Sequence, residues 1–419
     1  MKNRPIGLAV LMVVAATLAP RARAIDFTAG DWKLSIAGNV NAHYVFSDCE
    51  KNPVVVDGGL ACISTDNSSA VANGLLPAAL TFNGSTTQDG YDIGFTFGLY
   101  PGIDTNDGGS PNLQQTGAAT NTALGTAGLD VRQVFLTFGN SSMGTVMAGR
   151  NIGLFGADAI LNDMTLIGVG AGNGNYAAPA NTSLGSIGLG YIYTDWLAQI
   201  NYTTPDLAGA KITVGVFDPL NTLLDGQTVP TSKDTPGFHG KVAWTGGPLY
   251  LSASFLYQKQ KGTAVSTTNP TGVGYDSWAF DAGGKWDIGN LEVLGWYYYG
   301  SGVGTTGLFL LSNDAAGNAR KSEGFLAQAT YKIGSTKLGV NYGESRLSRT
   351  SEEATPLPPS IVISSDFLVE KNDKWTVGVY HDLTKNLTLL AEFSYLESEN
   401  QGGDKNKSDN FNVGAFLKF

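Results

Sequence analysis

The chain has 419 residues, a formal charge of −10, only 15% charged residues, 55 glycines and an aromatic set that includes 17 tyrosines and 7 tryptophans. An acid excess argues against a nucleic-acid partner, which favours a basic face, and the aromatic content argues against disorder. Beyond residue 24 no stretch approaches the roughly 18 to 20 apolar residues of a transmembrane helix, so any membrane crossing falls to strands.

The chain opens Met1-Lys-Asn-Arg4, runs apolar from Ile6 to Ala19 and reaches Ala22-Arg-Ala24. A positive flank, an apolar segment and small residues before the cut predict a secretory signal peptide, residues 1–24. Removing it takes four of the 26 basic residues and no acid, which leaves 22 Lys+Arg against 36 Asp+Glu, a balance of −14. The exported portion, residues 25–419, reads as one domain.

Cys49 and Cys62 follow soon after, close together in a polar stretch. In an exported chain that spacing favours a local disulfide tying one loop. No Cys-His metal spacing exists, and His43, His239 and His381 are scattered through strand-like runs. The glycine-rich run from Gly168 to Gly174 lacks the Lys-Ser/Thr of a phosphate loop and reads as flexible loop. No metal, cofactor or enzymatic Ser/His/acid set is expected.

Period-two alternation then recurs to the end of the chain. It predicts strands at Lys33–Phe46, Ala78–Ser85, Tyr91–Tyr100, Leu129–Phe138, Gly144–Arg150, Ile187–Thr203, Lys211–Phe217 and Phe238–Trp244. Eight more follow at Leu249–Lys259, Tyr275–Asp287, Leu291–Gly300, Ser322–Lys332, Lys337–Ser345, Lys374–Asp382, Leu387–Glu397 and Asn410–Phe419. The sixth is interrupted by Asp195 and reads as one long or kinked strand. Apolar sets such as Leu338, Val340 and Tyr342 alternate with polar sets such as Lys337, Asn341 and Gly343. Aromatics recur at the ends of the apolar sets (Trp278 and Trp286, Tyr297 and Tyr299, Trp375, Tyr395), as interfacial girdles place them.

Seven short connections alternate with eight long ones, which fits sixteen strands with both termini on the short-turn side. The fold expected is an all-β, transmembrane, antiparallel up-and-down barrel. Its last strand ends on Phe419 with no residue to cover an open edge, a liability that closure on the first strand removes. One long connection stands out. From Arg150 to Ser186 alternation stops, and a loop that long inside a compact domain is commonly functional. In a cylinder its natural place is the lumen, as an inward-folded third external loop.

Val131-Arg-Gln-Val-Phe-Leu-Thr-Phe138 with Met143-Gly-Thr-Val-Met-Ala-Gly-Arg150 resembles the fourth and fifth strands of the Gram-negative general porins. Ile200-Asn-Tyr-Thr-Thr-Pro-Asp-Leu-Ala-Gly209 is similar to the turn that follows in that family, and the terminal Phe419 strand matches as well. The resemblance implies a sixteen-stranded outer-membrane channel for passive diffusion of small hydrophilic solutes, usually a homotrimer. It also implies contact with outer-membrane lipid and lipopolysaccharide, and recognition of the Phe419 strand by the outer-membrane assembly machinery.

Carried over by position, Arg132 takes the place of a wall arginine and Asp163 that of a loop acid, facing each other across the pore constriction. Arg150 and Asp158 either line the same zone or anchor the loop root to the wall. Asn39, Ala79 and Ile167 stand where the family carries further charges, so the constriction expected here is less charged. The acid excess leans towards cation preference. A substrate-specific channel for sugars or carboxylates would share the barrel and differ in its lumen residues.

Overall fold

The computed structural model describes residues 24–50, 53–62, 67–103, 129–172, 182–224, 227–229, 234–261, 274–314, 316–354 and 364–419. Residues 1–23 of the expected signal peptide, and loop acids such as Asp104 and Asp107, lie outside them.

Sixteen strands form the wall. They are β1 (Trp32–Cys49), β2 (Ala79–Gln88), β3 (Tyr91–Pro101), β4 (Leu129–Asn140), β5 (Gly144–Ile152), β6 (Trp196–Thr203), β7 (Ala210–Phe217) and β8 (Gly237–Gly246). Next come β9 (Leu249–Lys261), β10 (Gly274–Ile288), β11 (Leu291–Ser301), β12 (Lys321–Ile333), β13 (Thr336–Leu347), β14 (Val369–Asp382), β15 (Leu387–Asn400) and β16 (Lys405–Lys418). Each pairs antiparallel with its sequence neighbours. β1 closes the ring on β16, from Asn39 opposite Lys418 to Cys49 opposite Ser408. The final residue completes the seam: Phe419 N donates to Gly38 O at 3.0 Å, and Gly38 N to Phe419 O at 2.9 Å.

Two short strands finish the edges of β1. Ile25–Ala29 folds back on Trp32–Ile36, beyond the reach of β16. Ser68–Ala72 pairs with His43–Ser47, beyond the reach of β2. The first strand is thereby paired along both sides over most of its length, which is what a lipid setting demands of backbone amides.

The pleat explains which sequences could build this wall. Successive side chains point to opposite faces, and here the apolar set is the exposed one: Val340 is 49% exposed while its neighbour Asn341 is 1% exposed. The same inversion sets Tyr44 and Phe46 against His43 and Ser47, and Phe411 and Val413 against Asn410 and Asn412. A soluble sandwich would bury the first set. Tight turns join the strands on one side, as at Asp89-Gly90, where φ of 50° and 82° matches a turn with two left-handed residues.

All sixteen expected strands are present; β14 and β16 begin earlier than expected, at Val369 and Lys405 in place of Lys374 and Asn410, and the start of the sixth needs the largest correction. β6 starts at Trp196, whereas Ile187–Asp195 is irregular and packed among buried side chains. Gly188, Gly190 and Asp195 take positive φ there, which breaks the extended run.

Substituting Val377 by Arg tests the orientation of the wall. Val377 is 44% exposed and sits between Val340 and Phe393 on the apolar face. A guanidinium at mid-wall should cost about 2–4 kcal/mol, read as equilibrium unfolding by urea in a lipid bilayer. An unchanged midpoint would contradict lipid contact at this face.

Candidate functional site

After β5 the chain leaves the wall through a six-residue helix, α1 (Ala157–Asn162), and a 3-10 turn (Met164–Ile167). It returns to β6 through residues 182–195. A helix this short is unstable alone, and packing supplies what propensity does not. Ala157, Ala159 and Ile160 are buried with Ile187, Leu189, Tyr191 and Tyr193 against Leu294, Trp296, Leu326 and Leu396 of the wall. Those four wall residues belong to the polar, buried set of their strands, where they form an apolar island.

Around that island the segment is tied by polar groups of the same set. The Asp158 carboxylate accepts from Lys241 Nζ (3.1 Å), Tyr250 OH (2.8 Å) and Ser252 Oγ (2.6 Å). Asp281 accepts from Gly156 N at 2.6 Å, and Gln328 accepts from Met164 N at 2.6 Å. On β15, Glu392 Oε2 accepts from Val169 N and Gly170 N, both at 2.9 Å, and from Asn412 Nδ2 at 3.0 Å. Its Oε1 accepts from Tyr380 OH at 2.6 Å. Two successive backbone N–H groups aimed at one carboxylate make a small anion nest. Gly168 is required beside it, because a Cβ there would stand 2.0 Å from Glu392 Oε1. The glycine run is therefore partly a fitted surface, and its residues 173–174 lie outside the described ones.

The predicted site residues are placed separately. Arg132 sits at a β-bulge, where Gly98 opposes Gln133 and Leu99 opposes Val131. The extra residue turns both Arg132 and Gln133 to the buried side. Its Nε donates to Asp130 Oδ2 at 2.8 Å, and its guanidinium lies 5.2 Å from the Tyr100 ring centre and 5.7 Å from that of Trp196. Asp163 caps the 3-10 turn, accepting from Thr165 N (2.9 Å) and Thr165 Oγ1 (2.8 Å), and also accepts from Tyr191 OH (2.8 Å). Arg132 and Asp163 each have nearer partners than one another.

Arg150 pairs in register with Val134 and Ala198, on the apolar set, and donates to Val131 O at 3.1 Å. Asp158 ties the helix to Lys241 of β8. Asp195 at the loop root is 1% exposed, and burial pushes its carboxyl up to about 6. Cys49 and Cys62 stand side by side as thiols, close enough for their side chains to hydrogen-bond. Burial first, then Cys49, pushes the Cys62 thiol up to about 12.

Sequence reasoning missed Lys241, Asp281, Gln328 and Glu392. Their signal was available: charged or amide residues in the inward set at mid-strand, next to apolar residues such as Leu326 and Leu396 that break the polar alternation. Lys374 was missed too. It is fully buried on β14, within electrostatic reach of Asp163 and Glu392, and its Nζ has no hydrogen-bond partner.

A closed sixteen-stranded barrel with an apolar outer band and a polar inner wall defines an outer-membrane diffusion channel. Residues 7–401 match the model of the Gram-negative porins, and the chain belongs to that family. Its place is the bacterial outer membrane, and its activity is passive diffusion of small solutes. No curated protein sequence matches the chain.

Among solved structures, the chain is similar to the outer membrane channel DcaP of Acinetobacter baumannii (TM-score 0.68, 14% identity, 94% of this chain and 99% of that one). It is also similar to OmpF of Salmonella typhi in complex with daunomycin (TM-score 0.58, 13% identity, 94% and 100%). A third likeness is to OmpT of Vibrio cholerae (TM-score 0.54, 14% identity, 94% and 100%). At these identities the likeness is one of fold.

Glu392→Gln keeps the shape of the side chain and replaces one acceptor oxygen by an NH2 among donors. The loss should be about 2 kcal/mol, seen as a lower temperature at which the folded, fast-migrating electrophoretic band disappears. An unshifted temperature would mean that Glu392 does not hold the segment.

Proposed function

We propose that residues 153–172 and 182–195 cross the lumen as parts of the inward-folded third external loop and set the smallest cross-section of the channel. Support comes from the partners of the segment, since the wall groups it touches on β8 to β15 belong to the inward, polar sets. A hydrated lumen keeps wall groups solvated, and the loop excludes solutes above its clearance. Charges in a narrow, low-dielectric zone orient dipolar solutes and disfavour bulky apolar ones.

The charged groups of that zone are Asp158 with Lys241 at the helix end, and Asp163 near Lys374 and Lys337 at the 3-10 turn. Arg132 with Asp130 belongs to the loop root. This assignment replaces a single Arg132–Asp163 opposition by two acid–lysine groupings. Arg150 is a root anchor on the outer register set. At the loop side Glu353 is paired with Arg320 and Asp366 with Arg349, so the lean towards cations rests on the acid excess of the chain, 36 Asp+Glu against 26 Lys+Arg.

The chain functions as a homotrimer in contact with lipid and lipopolysaccharide, and the Phe419 strand serves the assembly machinery. One form of Vibrio cholerae OmpT, similar in fold at a TM-score of 0.53, is a trimer. Residues 1–24 are removed on export. Cys49 and Cys62 are oxidised to a disulfide in the envelope by a disulfide-donating oxidoreductase, each thiol losing one hydrogen. A thiol whose ionisation burial suppresses is a poor nucleophile.

Planar-bilayer recording tests the channel: insertion steps in threes are expected. Asp163→Ala frees the 3-10 turn and Tyr191, and should raise single-channel conductance and weaken cation preference. Arg132→Ala should disturb the loop root and change conductance. If both variants conduct and select like the parent, the constriction assignment is wrong. For the cysteines, unreduced folded protein should take up no maleimide, whereas Cys49→Ser should become reactive at Cys62 once unfolded. Two labelled thiols in the unreduced, denatured parent would exclude the disulfide.

A further inference from the structure

The third loop leaves one side of the inner wall uncovered. It packs on β8 to β15, and it also meets the chain just before β2, where Leu75 N donates to Gly168 O at 2.8 Å and Leu76 N to Leu166 O at 3.1 Å. Inward groups beneath it, such as Gln328, Asn341 and Glu392, are buried. Those on β2 to β5, such as Asn83, Thr96, Thr137 and Met147, are only half-buried. Water therefore reaches the wall along β2 to β5, and a solute that clears the loop passes there.

Register sets the inward residues of this wall in rows. One row runs Asn83, Thr96, Phe135, Gly149 and Gln199 across β2 to β6. The next row towards the turns runs Ser85, Gly94, Thr137, Met147 and Asn201. The next towards the loop begins Thr81, Gly98 and Gln133. None of these residues is charged. Charges only border the rows: towards the loop Arg132 is paired with Asp130 and both are buried, and towards the turns stand Lys33 and Asp92. Phe135 is the largest side chain in the rows. It lies directly opposite Thr96 on one side and Gly149 on the other, with Gly94 and Gly98 diagonal to it. Neither Phe135 nor Met147 belongs to the three apolar clusters of the described residues, so loop packing does not account for them. Glycine inside a strand can mark a place where a ligand approaches closely. Beside the ring, Thr96 Oγ1 donates to Asn83 Oδ1 at 2.8 Å, a pair that retains a donor in the Asn83 amide nitrogen and an acceptor in the Thr96 hydroxyl.

We propose that Phe135, with Asn83, Thr96 and Thr137 around it, forms a binding site for uncharged, ring-shaped polyhydroxyl solutes of monosaccharide size on the open side of the lumen. A hydroxyl solute exchanges its hydrogen bonds with water for hydrogen bonds with threonine and asparagine, at little net cost. An ion finds no opposite charge on these rows to offset the water it sheds. The Phe135 ring supplies what the hydroxyl groups do not. Its electron-rich face attracts the C–H groups that line one side of a sugar ring, and the glycines around it keep other side chains off that face. The proposal rests on the channel reading and adds a solute class to it.

The test uses the whole protein in planar bilayers bathed in potassium chloride, with D-glucose added. Glucose should reduce the single-channel current saturably. Gluconate and protonated glucosamine, its charged counterparts, should do so only at higher concentration. Phe135→Leu keeps an apolar side chain and removes the flat face. It should raise the half-saturating glucose concentration about fivefold, whereas Phe135→Tyr retains the parental value. Saturation-transfer NMR of glucose with the detergent-solubilised protein reads binding without conduction, and should show the same loss in Phe135→Leu. Three results overturn the proposal: a current that falls only as the viscosity of the solution dictates, an unchanged half-saturation in Phe135→Leu, or a charged counterpart that saturates at the same or lower concentration. A protein that folds yet never conducts overturns the channel reading instead, and the NMR titration then decides the site by itself.

Discussion

Lipid accepts no hydrogen bonds, so each peptide group in the membrane must find its partner within the protein. That constraint shapes the chain from end to end. It requires closure, and closure requires β1 to be paired where its neighbours fall short of it. Ile25–Ala29 and Ser68–Ala72 fill those gaps, and Phe419 seals the seam through Gly38. A Cβ at position 38 would stand 2.1 Å from Ala79 O, so the seam and the adjacent β2 together demand glycine there. With the backbone satisfied, side chains are free to be apolar outside and polar inside, the reverse of a soluble core.

A polar inner wall changes how an entering loop can be held. Burial of apolar area is available where the alternation lapses, at Leu294, Trp296, Leu326 and Leu396 for one cluster and at Leu256, Ala279 and Tyr298 for another, which takes up Phe155 and Ile192. Elsewhere the wall must offer acceptors for the loop's backbone amides. Asp281, Gln328 and Glu392 do this at three points spaced around the barrel. Charged acceptors are stronger than neutral ones, and each satisfies an amide that would otherwise be buried unpaired. The apolar island orients the segment and the acceptors fix its register. Position is over-determined by several modest contacts rather than one large one.

The sequence carried the wall plainly, because alternation repeats over many residues and aromatic ends mark many of the strands. It carried the loop's existence, because alternation stops after Arg150. Loop residues were harder to read. Arg132 was assigned from position alone, and the bulge at Gly98/Leu99 that turns it towards Asp130 leaves no mark in one-dimensional spacing. Arg150 continues the alternating register, so its outward placement was readable from Val146 and Ala148, four and two residues earlier. The irregular run before Trp196 misled because Ile187, Leu189, Tyr191 and Tyr193 alternate as a strand would. Their neighbours Gly188 and Gly190, at positive φ, were the contrary signal.

Net charge is the least informative of the sequence quantities, because a channel is sampled along its axis. The excess of acids is a sum over zones that a permeating solute meets in turn. At the loop side Glu344, Glu397 and Glu399 are joined to Arg346, Lys371 and Lys405 in a paired network on the outer face, where they act on headgroups more than on solutes. In the constriction proposed above, Asp158 and Asp163 are matched by Lys241, Lys374 and Lys337. At the turn side Lys285, Lys332 and Lys337 are interspersed with Asp287, Glu292 and Asp382. Screening confines each zone to about 8–10 Å, so the zones do not average, and a single selectivity drawn from composition describes none of them. What a solute feels is an ordered series of local fields, fixed by strand register and not by the totals of lysine and glutamate.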